Sequence, residues 1–277
     1  MTESSDQTPR QPESTPTTRL VASGVGAAGV GGGAVLGFIA GGPPGAFAGG
    51  AAGALLQDGM KAVVGEAALR FTSRTEQERV GSCLILAYEQ IAAHLNGGQR
   101  LRDESFFRPR ARKANKKLRS EAEELLEGTF LAARDAYEER KVALLANFYA
   151  NIAFNGEIDS SHANHLLVLA KSLTYRQLAI LGVIGQMQDR SVVRNRDFRD
   201  SSNLSTLEIG VLYEVYQMIG LDMITSIDSK YMMGLADINP ANLRLQGNGA
   251  HLFNLLMLYT IDGVDRQFFF DAFKPLP

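Results

Sequence analysis

The chain has 277 residues, of which 28 are Lys or Arg and 30 are Asp or Glu, so its formal net charge is −2. This length allows one or two domains with hydrophobic cores, and the balanced charge argues against a general nucleic-acid-binding protein. The single cysteine, Cys83, excludes an internal disulfide and fits a reducing compartment.

Residues 1–19 are polar and rich in Ser, Thr and Pro. Such a segment buries too little apolar surface to offset its conformational entropy, so we predict a disordered tail. Arg10 and Arg19 are its only basic residues, and no short Leu-rich region follows them as it would in a secretory signal.

Residues 20–57 carry no charge and consist mainly of Gly, Ala, aliphatic and Phe residues. In water this composition makes a poor helix, because each interior Gly costs about 1 kcal/mol relative to Ala. In a bilayer, unpaired backbone groups are so costly that a helix is nearly forced, and Gly lets two helices approach closely. The segment is therefore typical of packed membrane helices.

Seven glycines recur at every fourth position of this segment: Gly29, Gly33, Gly37, Gly41, Gly45, Gly49 and Gly53. This spacing places them on a slowly drifting stripe of a helix, which predicts a helix-packing face. Residues 41–45, GGPPG, interrupt the stripe, so we predict a hairpin of two helices, residues 20–40 and 44–65. The first helix, about 31 Å long, matches a bilayer core, whereas the second must include Asp58 and Lys61.

The glycine segment resembles the glycine-zipper hairpins of membrane-associated bacterial proteins. The resemblance implies contact with membrane lipid, self-association through the glycine stripe, and a bacterial inner-membrane location with the C-terminal body in the cytoplasm. The alternative is a flexible Gly/Ala linker within a soluble cytoplasmic adaptor or regulator.

After residue 65 the sequence changes to an amphipathic helical period, which predicts a mostly α-helical fold. Four capping boxes mark helix starts, because a Ser or Thr precedes a Glu or Gln by three positions. These pairs are Thr75 with Glu78, Ser120 with Glu123, Thr174 with Gln177, and Ser205 with Glu208. The helix predicted after the first capping box ends near residue 96. The helices predicted after the other three boxes cover residues 121–155, 175–188 and 206–219, in that order. A further helix begins at Asp159 or Ser160 and reaches residue 173.

A basic stretch, residues 100–119, precedes an acidic stretch, residues 121–139. The first contains nine Lys or Arg and two acids, and the second contains seven acids and one Arg. In one interpretation the two stretches form solvated faces that pair with each other. In the other, the basic stretch contacts anionic lipid headgroups, which also favours a cytoplasmic body. The candidate headgroup-binding residues are Arg108, Arg110, Arg112, Lys113, Lys116 and Lys117.

In the last third of the chain, the predicted elements follow one another as a helix, a polar gap, a second helix, two strands and a closing helix. The strands are predicted near residues 220–227 and at residues 243–245. This order resembles a winged helix. The second helix lies in LSTLEIGVLYEVYQMIG, which has two Glu and no Lys or Arg, so its face would repel phosphate. We predict no sequence-specific nucleic-acid binding, and expect an unidentified protein partner or plain packing.

The segment LTYRQLAILGVI, residues 173–184, resembles the Abi-alpha group associated with abortive infection. The resemblance implies a phage-defence or stress context, in which the chain would be an effector that perturbs a membrane.

No motif for catalysis, for a cofactor or for a metal is complete. His162 and His165 lie one helical turn apart, yet no cluster of further ligands completes a metal site. GVGAAG, residues 24–29, matches the letters of a dinucleotide fingerprint without a preceding strand. We therefore predict a non-enzymatic protein without a cofactor. Its predicted divisions are a tail, residues 1–19; a glycine hairpin, residues 20–65; a helical domain, residues 66–173; and a winged-helix-like region, residues 174–277.

The glycine stripe generates a testable prediction. Gly33→Leu and Gly37→Leu raise hydrophobicity but separate facing helix backbones, so membrane insertion should persist while crosslinking between copies falls. Gly31→Leu, which lies off the stripe, is the matched control and should retain more crosslinking. Equal crosslinking of the Gly31 and Gly33 variants in membranes would refute the zipper.

Overall fold

A computed structural model describes residues 50–71, 73–111, 117–201, 204–227 and 234–274 of the chain. In this part the chain is mostly α-helical, which confirms the predicted fold class. The predicted tail and the predicted helix over residues 20–40 lie outside the described residues.

The helices follow one another along the chain with short connections. They are α1 (Gly50–Arg70), α2 (Arg74–Asn96), α3 (Glu104–Phe107), α4 (Glu121–Arg134), α5 (Arg140–Ile152), α6 (Ser160–Ser172), α7 (Tyr175–Gln186), α8 (Thr206–Gly220), α9 (Gly247–Leu255) and α10 (Gly263–Asp271).

Two short antiparallel hairpins accompany the helices. β1 (Arg110–Ala111) pairs with β2 (Lys117–Leu118), and β3 (Ile224–Ser226) pairs with β4 (Leu243–Leu245). The second pair contains both strands that the sequence predicts in the last third. The first pair lies inside the basic stretch, where no strand is predicted.

Three of the four predicted capping boxes are present, at the starts of α4, α7 and α8. The prediction for α2 is wrong by two residues, because Ser73 is the N-cap and its side chain accepts a hydrogen bond from the backbone N–H of Glu76. Thr75 thus lies inside the first turn. The partner predicted for it, Glu78, instead accepts a hydrogen bond from Arg74 Nε at 2.8 Å.

The single helix predicted over residues 121–155 is also wrong, because the chain forms α4 and α5 with a break between them. The break lets α5 turn back and pack against both α4 and α2. Acidic residues in the break bond to later helices: Asp135 accepts from Lys171 Nζ at 2.9 Å, and Glu138 accepts from the backbone N–H of Tyr175 at 2.7 Å. These contacts offset the loss of helical hydrogen bonds at the break.

The centre of the fold is the packing of α2 along α5, and one hydrophobic cluster extends from α1 to the residues after α10. Its largest fully buried side chains include Phe130, Phe148 and Tyr149. Burial of each such aromatic side chain removes on the order of 150–250 Å² from water, which makes them leading contributors to the core.

The first helix, α1, belongs to this core. Leu56, Met60 and Val63 are buried, and α1 packs against α3 and α4. Asp58 and Lys61 are not buried, although they lie on the same helix. The second helix predicted for the membrane hairpin, residues 44–65, therefore corresponds in part to a helix that begins at Gly50 in the described chain and continues to Arg70. The predicted domain boundary after residue 65 falls inside it.

Close backbone packing gives a prediction about stability. A Cβ added at Gly249 in α9 would lie 2.8 Å from the carbonyl carbon of Met223, whereas one added at Gly65 in α1 has no described atom within 4 Å. Gly249→Ala should lower the free energy of unfolding by about 1–3 kcal/mol through overpacking. The control, Gly65→Ala, should raise it by up to about 1 kcal/mol. Urea denaturation measures both changes, and equal effects would contradict the packing described.

Candidate functional site

The end of α1 is held to α4 by a charged cluster. Arg119 pairs with Glu66 of α1 and with Glu127 of α4, and Arg70 pairs with the same Glu127. Each of these partly exposed pairs contributes at most about 1 kcal/mol. The apolar burial of α1 therefore contributes more to stability than these pairs do, and the charged cluster fixes how the helix is placed.

Three arginines in the described part of the basic stretch pair with carboxylates. Arg108 pairs with Glu104 at its own helix end, and Arg110 pairs with Glu124 of the acidic stretch. Of the described pairs, Arg110–Glu124 and Arg119–Glu127 join the basic stretch to the acidic stretch, and both interpretations of the two stretches stay predictions. The remaining candidate headgroup-binding residues are Lys117, which lies in β2, and Arg112, Lys113 and Lys116, which lie outside the described residues.

Only one residue of the predicted glycine stripe falls in the described chain. Gly53 lies in the first turn of α1 and is buried. The other stripe residues lie outside the described residues: Gly29, Gly33, Gly37, Gly41, Gly45 and Gly49.

Among the described helices, none is by itself both long and apolar enough to cross a membrane. The helices α6 and α7 meet the length and composition criteria only as a pair, with a bend of 114° between them.

The outer face of α8 exposes two large apolar side chains. Ile209 and Tyr213, one turn apart, are 46% and 52% exposed. Glu214, the next residue, is buried and accepts a hydrogen bond from Arg176 Nε at 3.0 Å. The acidic charge of Glu214 is thus neutralised within the fold, and the exposed face offers apolar contact.

His162 and His165, which lie one helical turn apart in the sequence, are close to a third histidine from a distant part of the chain. His162 Nε2 donates to Asn248 Oδ1 at 3.2 Å, and Asn248 Nδ2 donates to His165 Nε2 at 3.4 Å. The ring of His251 lies edge-on to that of His162, with 5.1 Å between centroids. Among the described residues, no group of three His, Cys, Asp or Glu side chains is arranged to hold a metal.

Cys83 is fully buried in α2, and burial raises the pKa of its thiol to about 12. The reactive thiolate is therefore scarce at neutral pH, and the side chain acts as a small apolar group in the core.

A pocket of about 400 Å³ lies between the end of α7 and the start of α10. Its walls combine apolar and polar side chains: Val183, Met187, Phe270, Gln186, Arg266 and Gln267. Within the described chain no carboxylate belongs to the lining, so the guanidinium of Arg266 is the charged group of this pocket.

Two buried polar atoms of pocket-lining residues lack a partner in the described chain. Arg266 Nη1 donates to Gln186 Oε1, but Arg266 Nε and Gln186 Nε2 are buried and donate to no acceptor. An unsatisfied buried donor costs about 1–3 kcal/mol, so two of them in one pocket call for an explanation. The sequence gives no signal for this pair, since the two residues are 80 positions apart.

No protein-family model matches this chain, and no match was found among curated proteins or among solved structures.

The surface of α8 leads to a prediction about DNA. Because α8 carries no Lys or Arg, the full chain should not bind duplex DNA in a salt-dependent way. Fluorescence anisotropy with a labelled duplex tests this. The double variant Ile209→Lys, Tyr213→Lys adds two cations to the exposed face and should create weak, salt-sensitive binding. Submicromolar binding by the unmodified chain that weakens steeply with salt would show that the nucleic-acid surface lies elsewhere.

Proposed function

We propose that this chain is a non-enzymatic membrane-associated protein in which residues 20–40 enter the bilayer as one helix. The observation that carries the proposal is the burial of α1 in the body. Because Leu56, Met60 and Val63 pack inside the protein, the uncharged segment left for lipid ends near Gly49. Asp58 and Lys61 then stay in water, and no charge has to enter the bilayer.

The length of the remaining segment favours a single crossing over the hairpin. Residues 20–40 make a helix of about 31 Å, close to the thickness of a bilayer core. Residues 41–49 include GGPPG and would extend only about 14 Å as a helix, too short to return across the bilayer. The tail and the body are then on opposite sides, with the body in the cytoplasm, where a single unpaired thiol is stable.

Two interactions complete the proposal. The glycine stripe provides self-association within the membrane, because small residues let helix backbones approach. The winged-helix-like region, built from α7, α8, β3, β4 and α9, presents the apolar face at Ile209 and Tyr213 to a protein partner. Apolar residues on an exposed helix face are typical of such contacts.

A membrane-perturbing role in phage defence is the most specific form of this proposal. Its support is the resemblance of residues 173–184 to the Abi-alpha group. Most apolar residues of that segment, including Leu178, Ile180 and Leu181, are buried in the core. Core packing therefore accounts for their character, and the exposed surface of α7 adds no separate support for defence.

A soluble adaptor with a Gly/Ala linker is the second candidate. The observation that favours it is the single core shared by the described helices, none of which alone qualifies as a membrane span.

Topology is the sharpest test. Thr8→Cys marks the tail and Ser161→Cys marks an exposed position on α6; each variant is treated with a membrane-impermeant maleimide in spheroplasts and in inverted vesicles. We expect the tail to be labelled in spheroplasts and the body only in inverted vesicles. The unmodified chain is the control, because buried Cys83 should not react.

The same experiment separates the alternatives. Labelling of both positions from the cytoplasmic side would favour the hairpin, and recovery of the full chain wholly in the soluble fraction would favour the adaptor. A chain that begins at Gly50 keeps every described helix and should be soluble. A truncation after α1 would instead expose the core that Leu56 and Met60 cover, so it is unsuitable as a control.

A further inference from the structure

The pocket between α7 and α10 combines two features that are typical of a ligand-binding site. One side is apolar, formed by Val183, Met187 and Phe270. The other side carries Gln186 and Arg266, each with a buried donor that has no acceptor in the described chain. Pockets that bind small molecules commonly combine such apolar walls with a few convergent polar groups.

The missing partner must be an acceptor. Gln186 Oε1 already accepts from Arg266 Nη1, so turning the Gln186 amide over would remove that hydrogen bond without satisfying either free donor. Neither side chain can satisfy the other further, since the free atoms, Arg266 Nε and Gln186 Nε2, are both donors. An acceptor that enters the pocket would satisfy both.

The local charge favours an anionic acceptor. Arg266, the charged residue of the pocket lining, forms no ion pair with the described residues. Hydrogen bonds to a charged acceptor are about twice as strong as those between neutral groups.

We propose that this pocket binds a small apolar carboxylic acid in its ionised form. The two carboxylate oxygens accept from Arg266 Nε and Gln186 Nε2, and the hydrocarbon part packs on Val183, Met187 and Phe270. An inorganic anion would satisfy the donors but leave the three apolar side chains without contact, so an amphipathic anion fits the walls better. This inference concerns α7 and α10 alone and does not depend on membrane association.

The site joins the last helix to the rest of the fold. α10 packs mainly on α7, and Asp265 of α10 accepts a hydrogen bond from Tyr175 Oη at 2.9 Å at the opposite end of α7. A ligand held between Gln186 and Arg266 adds a second polar link between the same two helices. Bound ligand should therefore slow amide hydrogen exchange in α10.

The test compares hexanoate with hexanamide, a neutral molecule of nearly the same shape. Each is titrated into the purified full chain by calorimetry, in buffer or in lipid nanodiscs according to where the chain fractionates, with empty nanodiscs as the blank. We expect one saturable site for hexanoate and at least tenfold weaker binding of hexanamide. Equal affinity for the two compounds, or no binding of hexanoate, would overturn the proposal.

Two variants assign the binding to this pocket. Arg266→Met keeps an unbranched side chain without the charge and should weaken hexanoate binding at least tenfold, whereas Arg74→Met removes a remote exposed guanidinium and should have no effect. Gln186→Glu places a carboxylate of the chain itself beside Arg266. It should abolish hexanoate binding and raise the melting temperature. Unchanged hexanoate affinity in Gln186→Glu, or in a folded Arg266→Met, would refute this site.

Discussion

The burial of the apolar side of α1 against α3 and α4 is the contact that ties the end of the glycine-rich segment to the folded body. It decides where the folded body begins, because Leu56 and Met60 are core residues. In the proposed function, the membrane segment therefore lies before Gly50. A helix that the sequence predicts as half of a membrane hairpin thus becomes the first layer of a helical body.

Local rules predict most helix starts, because a capping box depends only on residues three apart. Ser120, Thr174 and Ser205 each cap the helix that the sequence assigns to them. The failure at α2 has the same origin, since Ser73 with Glu76 and Thr75 with Glu78 both fit the pattern. The overlapping pairs are equivalent locally, and the packing of the residues around them decides which one is used.

Long-range contacts explain what the sequence does not reveal. The break after α4 contains no Gly or Pro, and its acidic residues find partners on α6 and α7 only in the folded chain. The pocket has the same character, because Gln186 and Arg266 come together through the packing of α10 on α7. The basic and acidic stretches are visible in the sequence, but which cation meets which carboxylate depends on the positions of α1 and α4.

The amide of Asn248 has a consequence for how α9 is positioned on α6. Its oxygen accepts a hydrogen bond from His162 Nε2, and its nitrogen donates one to His165 Nε2. Apolar side chains between α6 and α9 would tolerate sliding, whereas this arrangement is satisfied in one register only. The amide therefore favours the register in which α9 lies against α6 in this structure.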